Sequence, residues 1–302
     1  MTDVNIKEYI HKCDADFRER LYDVADAVSR SFDETDKDEK PIRIVCLSGP
    51  TCSGKTTAAQ MIAERLKLCG KRLHIISIDD FYFDREYLHK LSEYKGIDGI
   101  DYDSIDTIDL PALERFVSEA LSGESAECPC FNFKTGNRDG YKTIASGEND
   151  VFLFEGIQAI YPEVCELFEP HGFVSIYIAP QTPIAHGETV FLPDEIRFMR
   201  RIVRDNNFRN SSAEFTMHLW ESVRRNEEKH IFPYVNGCKY RIDSTHMYEI
   251  GVLKPYLERL LSTVSTDSEY YGEATAMLKK ISNVEKIDSR LIDEASLYKE
   301  FV

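Results

Sequence analysis

The most chemically specific stretch of the chain is Gly49-Pro50-Thr51-Cys52-Ser53-Gly54-Lys55-Thr56, which fits the spacing GxxxxGK followed by Ser or Thr. Glycines at its two ends let the backbone close around an anion, and successive amides at the start of a helix collect positive potential there. Gly49, Ser53, Gly54 and Thr57 are therefore expected to surround phosphates. Lys55 adds a full positive charge beside the phosphate that moves, and the Thr56 hydroxyl is suited to ligate Mg²⁺. The alternative, a glycine-rich turn with a surface lysine, is outweighed because a buried strand precedes the motif and an amphipathic helix follows it.

Phosphoryl transfer needs more than a phosphate cradle. It requires a base near the acceptor hydroxyl, a carboxylate near the metal, and arginines that close over the phosphates. Asp79, in Ser77-Ile78-Asp79-Asp80-Phe81-Tyr82, follows a strand and emerges at the edge where the phosphate loop also lies. Glu155, in Phe152-Leu153-Phe154-Glu155-Gly156, repeats the arrangement on another strand, placed to reach the metal directly or through water. Either acid alone reads as a solubilising strand end; beside the phosphate loop the functional reading is the stronger.

Between Arg197 and Lys229, eight basic residues stand against five acids, a net +3 in a chain of −16, and a triphosphate would be drawn there. Arg197, Arg201 and Arg204 recur three or four apart and can share a helix face. Arg224, Arg225 and Lys229 have Glu221, Glu227 and Glu228 as neighbours and read as a salt-bridged face. The strings Asn-Lys-x-Asp and Asp-x-x-Gly occur nowhere, which excludes a GTPase.

The elements that must position these residues follow from apolar periodicity. Ile6, Ile10, Cys13, Phe17, Leu21, Val24 and Val28 predict one N-terminal amphipathic helix, ended by the charged linker Asp33 to Lys40. Beyond Pro41, short apolar runs alternate with helical periods, the pattern of a parallel sheet covered by helices. Strands are expected over 42–47, 73–78, 151–154 and 174–178, and helices over 56–69 and after a cap at Asp109 with Pro111 in the first turn. The remainder reads as mostly helical, apart from a loop between Gln181 and Pro193. Domain boundaries are drawn at 1–40 for the helix and linker, 41–265 for the phosphate-loop domain and 266–302 for a helical tail.

Composition bounds the function. With 302 residues and 42% apolar content, the chain can build a substantial core, which excludes wholesale disorder. An acidic surface repels polyanions, so general nucleic-acid binding is excluded. Eight scattered cysteines and the absence of a leader or membrane-spanning run place the chain in the cytoplasm with reduced thiols. Cys128-Pro129-Cys130 lacks the partners of a zinc site and reads as small residues in a turn.

Together these residues resemble the uridine kinase and phosphoribulokinase group of P-loop kinases over about residues 42–262, and the whole looks like the bacterial nucleoside-kinase-like branch. The blocks that carry the resemblance, in order, are the phosphate loop, Ser77 to Tyr82, Asp101 to Asp109, Pro129 to Arg138, Phe154 to Ile157 and Arg200 to Asp205. It implies an α/β fold of P-loop NTPase type, with a small substrate hairpin, an Arg-rich helical lid and added terminal helices. ATP and Mg²⁺ are the implied cofactors. Asp79 would be the base for an acceptor 5′-hydroxyl, with Lys55 and Arg204 serving the transfer. Thr56, Asp79 and Glu155 would stand around the metal. Asp103 and Arg201 would hold ribose hydroxyls, Tyr102, Phe131 and Phe133 would line the base pocket, and Arg204 and Arg209 would belong to the lid. Related kinases often form homo-oligomers, the one protein partner the resemblance suggests.

Two departures bear on the acceptor. The uridine-cytidine kinases carry a histidine where this chain has Gly136 and a tyrosine where it has Phe131, and losing a polar side chain removes hydrogen bonds that separate one base from another. Three readings follow: a nucleoside 5′-kinase, a kinase of another hydroxyl compound such as a sugar phosphate, and a nucleotide-binding regulator that transfers nothing.

Overall fold

The computed structural model describes residues 3–33, 42–96, 99–147 and 150–302. The charged linker expected up to Lys40 lies outside the described residues from Glu34 onward. Helix α1 (Asp3–Asp33) buries Ile6, Ile10, Phe17, Leu21, Val28 and Phe32, the stripe that a period of 3.6 places on one face.

The phosphate loop joins β1 (Ile44–Ser48) to α2 (Lys55–Leu68), and β2 (Leu73–Ser77) follows. Next come α3 (Arg85–Lys95), α4 (Leu110–Leu121) and a hairpin of β3 (Ser125–Asn132) and β4 (Asn137–Ala145). The Asp109 carboxylate accepts from the Ala112 N–H at 3.1 Å, so α4 starts at the predicted cap. β5 (Val151–Glu155), α5 (Pro162–Phe168) and β6 (Phe173–Ala179) complete the centre.

A small hairpin of β7 (Ile184–His186) and β8 (Thr189–Phe191) leads to α6 (Pro193–Arg209) and α7 (Ala213–His230). One-turn α8 (Phe232–Val235), β9 (Tyr240–Asp243), α9 (Glu249–Leu261) and α10 (Tyr271–Ile281) follow.

Five strands pair in the order β2-β5-β1-β6-β9, all parallel, with helices on both faces. Alternation along β1 shows the layering: Val45 and Leu47 join the core under α1, α2 and α9, whereas Ile44 and Cys46 join the core under α4. Each such fully buried aliphatic side chain contributes about 1.5–3 kcal/mol.

Three expectations are corrected. The edge strand β9 lies in a region read as helical; of its four residues only Ile242 is buried, too short a signal for periodicity. The segment read as a loop between Gln181 and Pro193 contains the β7–β8 hairpin, turned at Gly187 with φ +61°. Cys128 and Cys130 lie in β3 rather than a turn, where Pro129 is tolerated because a two-stranded sheet has free edges. Among the described residues, no helix is long and apolar enough to cross a membrane.

Candidate active site

Parallel register brings the chemical residues to one edge. Leu47 and Ser77 both lie level with Glu155, so the phosphate loop and Asp79 begin just beyond that carboxylate. Gly49 is required by contact: a Cβ there would stand 2.1 Å from the Ile178 carbonyl oxygen. Gly54 holds φ +91° at the start of α2, a left-handed conformation that glycine adopts without strain. Two buried arginines of α6 brace the loop, Arg197 donating to the Thr51 carbonyl and Arg200 to the Cys52 carbonyl, each at 3.2 Å. The Lys55 ammonium donates to the Gly49 carbonyl at 2.8 Å and to that of Pro50 at 3.2 Å.

A cavity of about 760 Å³ opens in front of the loop, within the usual size range for a small-molecule site. Ser53, Gly54, Lys55 and Thr56 line it, and Asp79 and Glu155 form part of its wall. Burial, and then the charge of Glu155, push the Asp79 carboxyl up to about 6, against the pull of Lys55. Burial raises Glu155 as well, opposed by Lys55 and a hydrogen bond from Ser77. Two buried acids side by side, one raising the other, suit a divalent cation. Among the described residues no three His, Cys, Asp or Glu converge on a common metal position, so such a cation would draw its other ligands from Thr56, water and phosphate oxygens.

On another wall, Asp103 and Tyr102 line the cavity. Asn226 of α7 donates from Nδ2 to Asp103 Oδ2 at 3.1 Å and to Asp101 Oδ1 at 3.2 Å. Burial raises the Asp103 carboxyl, and the bond from Asn226 opposes the rise. The Tyr102 carbonyl accepts from the Tyr82 hydroxyl at 3.0 Å and from Gln158 Nε2 at 2.8 Å, which fixes that wall from behind.

The aromatic residues divide. Phe133 faces the cavity, but Phe131 does not: its ring packs edge-on against Tyr82 at 5.3 Å and Phe133 at 5.2 Å, supporting the wall from the second row. At the hairpin turn, Gly136 holds φ +74° beside the exposed guanidinium of Arg85, and neither residue lines the cavity.

Helix α6 presents Arg201, Arg204 and Arg209 to the cavity, and all three converge on buried Asp205. Arg197, grouped with Arg201 and Arg204 by spacing, instead pairs with buried Glu227 at 2.6 Å. Two members of the expected salt-bridged face pair as read, Arg224 with Glu227 and Arg225 with Glu221, each at 2.9 Å. Thr57 turns its hydroxyl to Glu300 at 3.0 Å.

Several cavity residues were missed, among them Tyr82, Asn226 and Glu300. Tyr82 and Asn226 were visible only as members of an aromatic block and a charged helix, and Glu300 carried no motif at all.

Residues 44–250 match the Phosphoribulokinase / Uridine kinase family. Uridine-cytidine kinase B of Dictyostelium discoideum is 29% identical over 180 residues, 59% of this chain and 64% of that protein, so the match spans just under two thirds of it. Uridine kinase of Lactobacillus helveticus is 30% identical over 176 residues, 58% of this chain and 73% of that protein. Among solved structures, YFH7 of Saccharomyces cerevisiae, a chain assigned to the P-loop kinases with a circular permutation, shares the fold at a TM-score of 0.51 and 12% identity, over 73% of this chain and 98% of that one.

Proposed function

The chain belongs to the Phosphoribulokinase / Uridine kinase family of hydroxyl-directed phosphotransferases, and we propose that it transfers the γ-phosphoryl group of ATP to the 5′-hydroxyl of a ribonucleoside. The observation that carries this reading is the shared cavity of Lys55, Asp79 and Asp103, which offers a phosphate cradle, a base and a ribose anchor within one volume.

In this reading the loop amides and Lys55 bind the phosphates, and Asp103 with Arg201 holds the acceptor ribose. Asp79 takes the proton from the acceptor hydroxyl as its oxygen bonds to the γ-phosphorus and the bond to the β-phosphate oxygen breaks. Thr56, with Asp79 and Glu155 nearby, would hold Mg²⁺, which when bound would neutralise phosphate charge. Arg204 and Arg209 close over the phosphates and exclude water, and Tyr102 and Phe133, backed by Phe131, form the base side.

The glycine at 136 favours a second acceptor class, since it offers no side chain to read a base. One experiment separates the two: the purified chain with Mg·ATP and a panel of nucleosides and sugar phosphates, with products identified by mass. A nucleoside 5′-monophosphate is expected. Turnover of sugar phosphates alone selects the second class, and no transfer to any acceptor removes the kinase reading.

A further inference from the structure

A carboxylate that forms no ion pair among the described residues stands at the edge of the phosphate site. Residues 296–302 lie beyond the span of the family match, which ends at residue 250, yet they bring Glu300 into the same cavity wall as Lys55, Thr56 and Arg204. Glu300 Oε2 accepts from the Thr57 hydroxyl at 3.0 Å. Among the described residues, no Lys, Arg or His lies within ion-pair distance of it.

The segment holds this carboxylate in place. Leu297, Tyr298 and Phe301 are 1%, 0% and 0% exposed, and the Phe301 carbonyl accepts from Asn207 Nδ2 at 3.2 Å. The Tyr298 hydroxyl donates to buried Glu249. Across the cavity, the charge of Glu300 helps to raise both Glu155 and Arg204.

A fixed negative charge repels phosphate oxygens, so this position suits a neutral, hydroxyl-bearing part of the donor. Thr57 follows Thr56 on α2, so Glu300 is held one residue along the helix from the hydroxyl assigned to the metal, at the margin of the phosphate cradle. A carboxylate can accept from two adjacent hydroxyls at once, and such charge-assisted bonds are the stronger kind. From this juxtaposition we propose that Glu300 binds the 2′- and 3′-hydroxyls of the donor ribose and selects ribonucleoside triphosphates over their deoxy counterparts. The proposal rests on the phosphate loop holding a nucleoside triphosphate, as argued above.

The test is equilibrium titration of the full chain, and of Glu300→Gln and Glu300→Ala, with Mg·ATP, Mg·2′-deoxyATP, Mg·3′-deoxyATP and Mg·tripolyphosphate. The unaltered chain is expected to bind ATP roughly ten-fold tighter than either deoxy form, the scale of one lost bond to a charged group. Glu300→Ala should bring ATP to the deoxy level while tripolyphosphate binds as before or tighter, and the isosteric Glu300→Gln should keep part of the preference. Equal binding of the three nucleotides, or a preference that survives in Glu300→Ala, overturns the proposal and leaves the kinase reading standing. Equal tightening of every probe in Glu300→Ala reduces Glu300 to a repulsive charge and also overturns it. Failure of the unaltered chain to bind any probe sinks the phosphate-loop reading, and this proposal with it.

Discussion

Arg200 and Glu249 form an ion pair with no solvent exposure, Nε lying 2.7 Å from Oε2 and Nη2 3.0 Å from Oε1. The same guanidinium donates to the Cys52 carbonyl at 3.2 Å, so the pair fixes the phosphate loop from behind. It also lies over the Tyr298 and Phe301 rings, linking the loop to the segment that carries Glu300.

Removing one member should therefore be costly. Arg200→Leu strands a buried carboxylate and is expected to lower unfolding stability by about 3–5 kcal/mol, whereas replacing both partners with apolar residues should recover much of that. Denaturant unfolding of the two single variants and the double variant checks this. Near-additive losses would contradict the coupling.

Asp79→Asn separates chemistry from binding. Loss of the base should cut turnover by about 10²–10⁴-fold while ATP binding persists, because the phosphate cradle is untouched. The same change should stabilise the fold at neutral pH. With its carboxyl raised to about 6, folded Asp79 binds more protons than the unfolded chain between the ordinary carboxylate value and that point, so its contribution to stability falls as pH rises through the window. Asparagine removes that penalty, and melting curves at pH 5 and pH 7.5 should show a stabilisation of the variant that is larger at the higher pH.

How far the sequence predicts this site depends on where the interactions lie along the chain. β1, β5 and β6 are covered on both faces and read as continuous apolar runs, so their ends, and with them the phosphate loop and Glu155, were legible; Asp79 was legible at the end of the shorter apolar run of β2. β9 was not, since an edge strand with one buried residue carries no period. Arg197 and Arg200 were read as members of a basic run that draws phosphate, which hid them as buried braces of the loop. Glu300 meets Thr57 across a separation of 243 residues, a contact that no local pattern encodes.

The pH dependence of the reaction should carry the same carboxyl. A base must be ionised to accept a proton, so kcat/KM for the acceptor should rise with pH and level off above about 6 at low free Mg²⁺. A cation beside Asp79 favours its charged form, so added Mg²⁺ should move the rise to lower pH. Steady-state rates over pH 4.5–8 at two Mg²⁺ concentrations check this; a rise that moves to higher pH with Mg²⁺ would contradict it.

Asn226 is a positioning residue whose signature differs from that of the base. Its amide lies between Asp103 and Asp101, donating to both, and holds the Asp103 carboxylate that faces the cavity. Without it, two acids face each other unbridged and Asp103, already raised by burial, is raised further. Asn226→Ala should therefore raise KM for the acceptor roughly ten-fold, the scale of one lost hydrogen bond to a charged group. KM for ATP should stay unchanged, because the phosphate loop and Arg204 lie on other elements. Equal increases in both constants would indicate a general loosening of α7, and Asp103 would then lose its assignment to the acceptor wall.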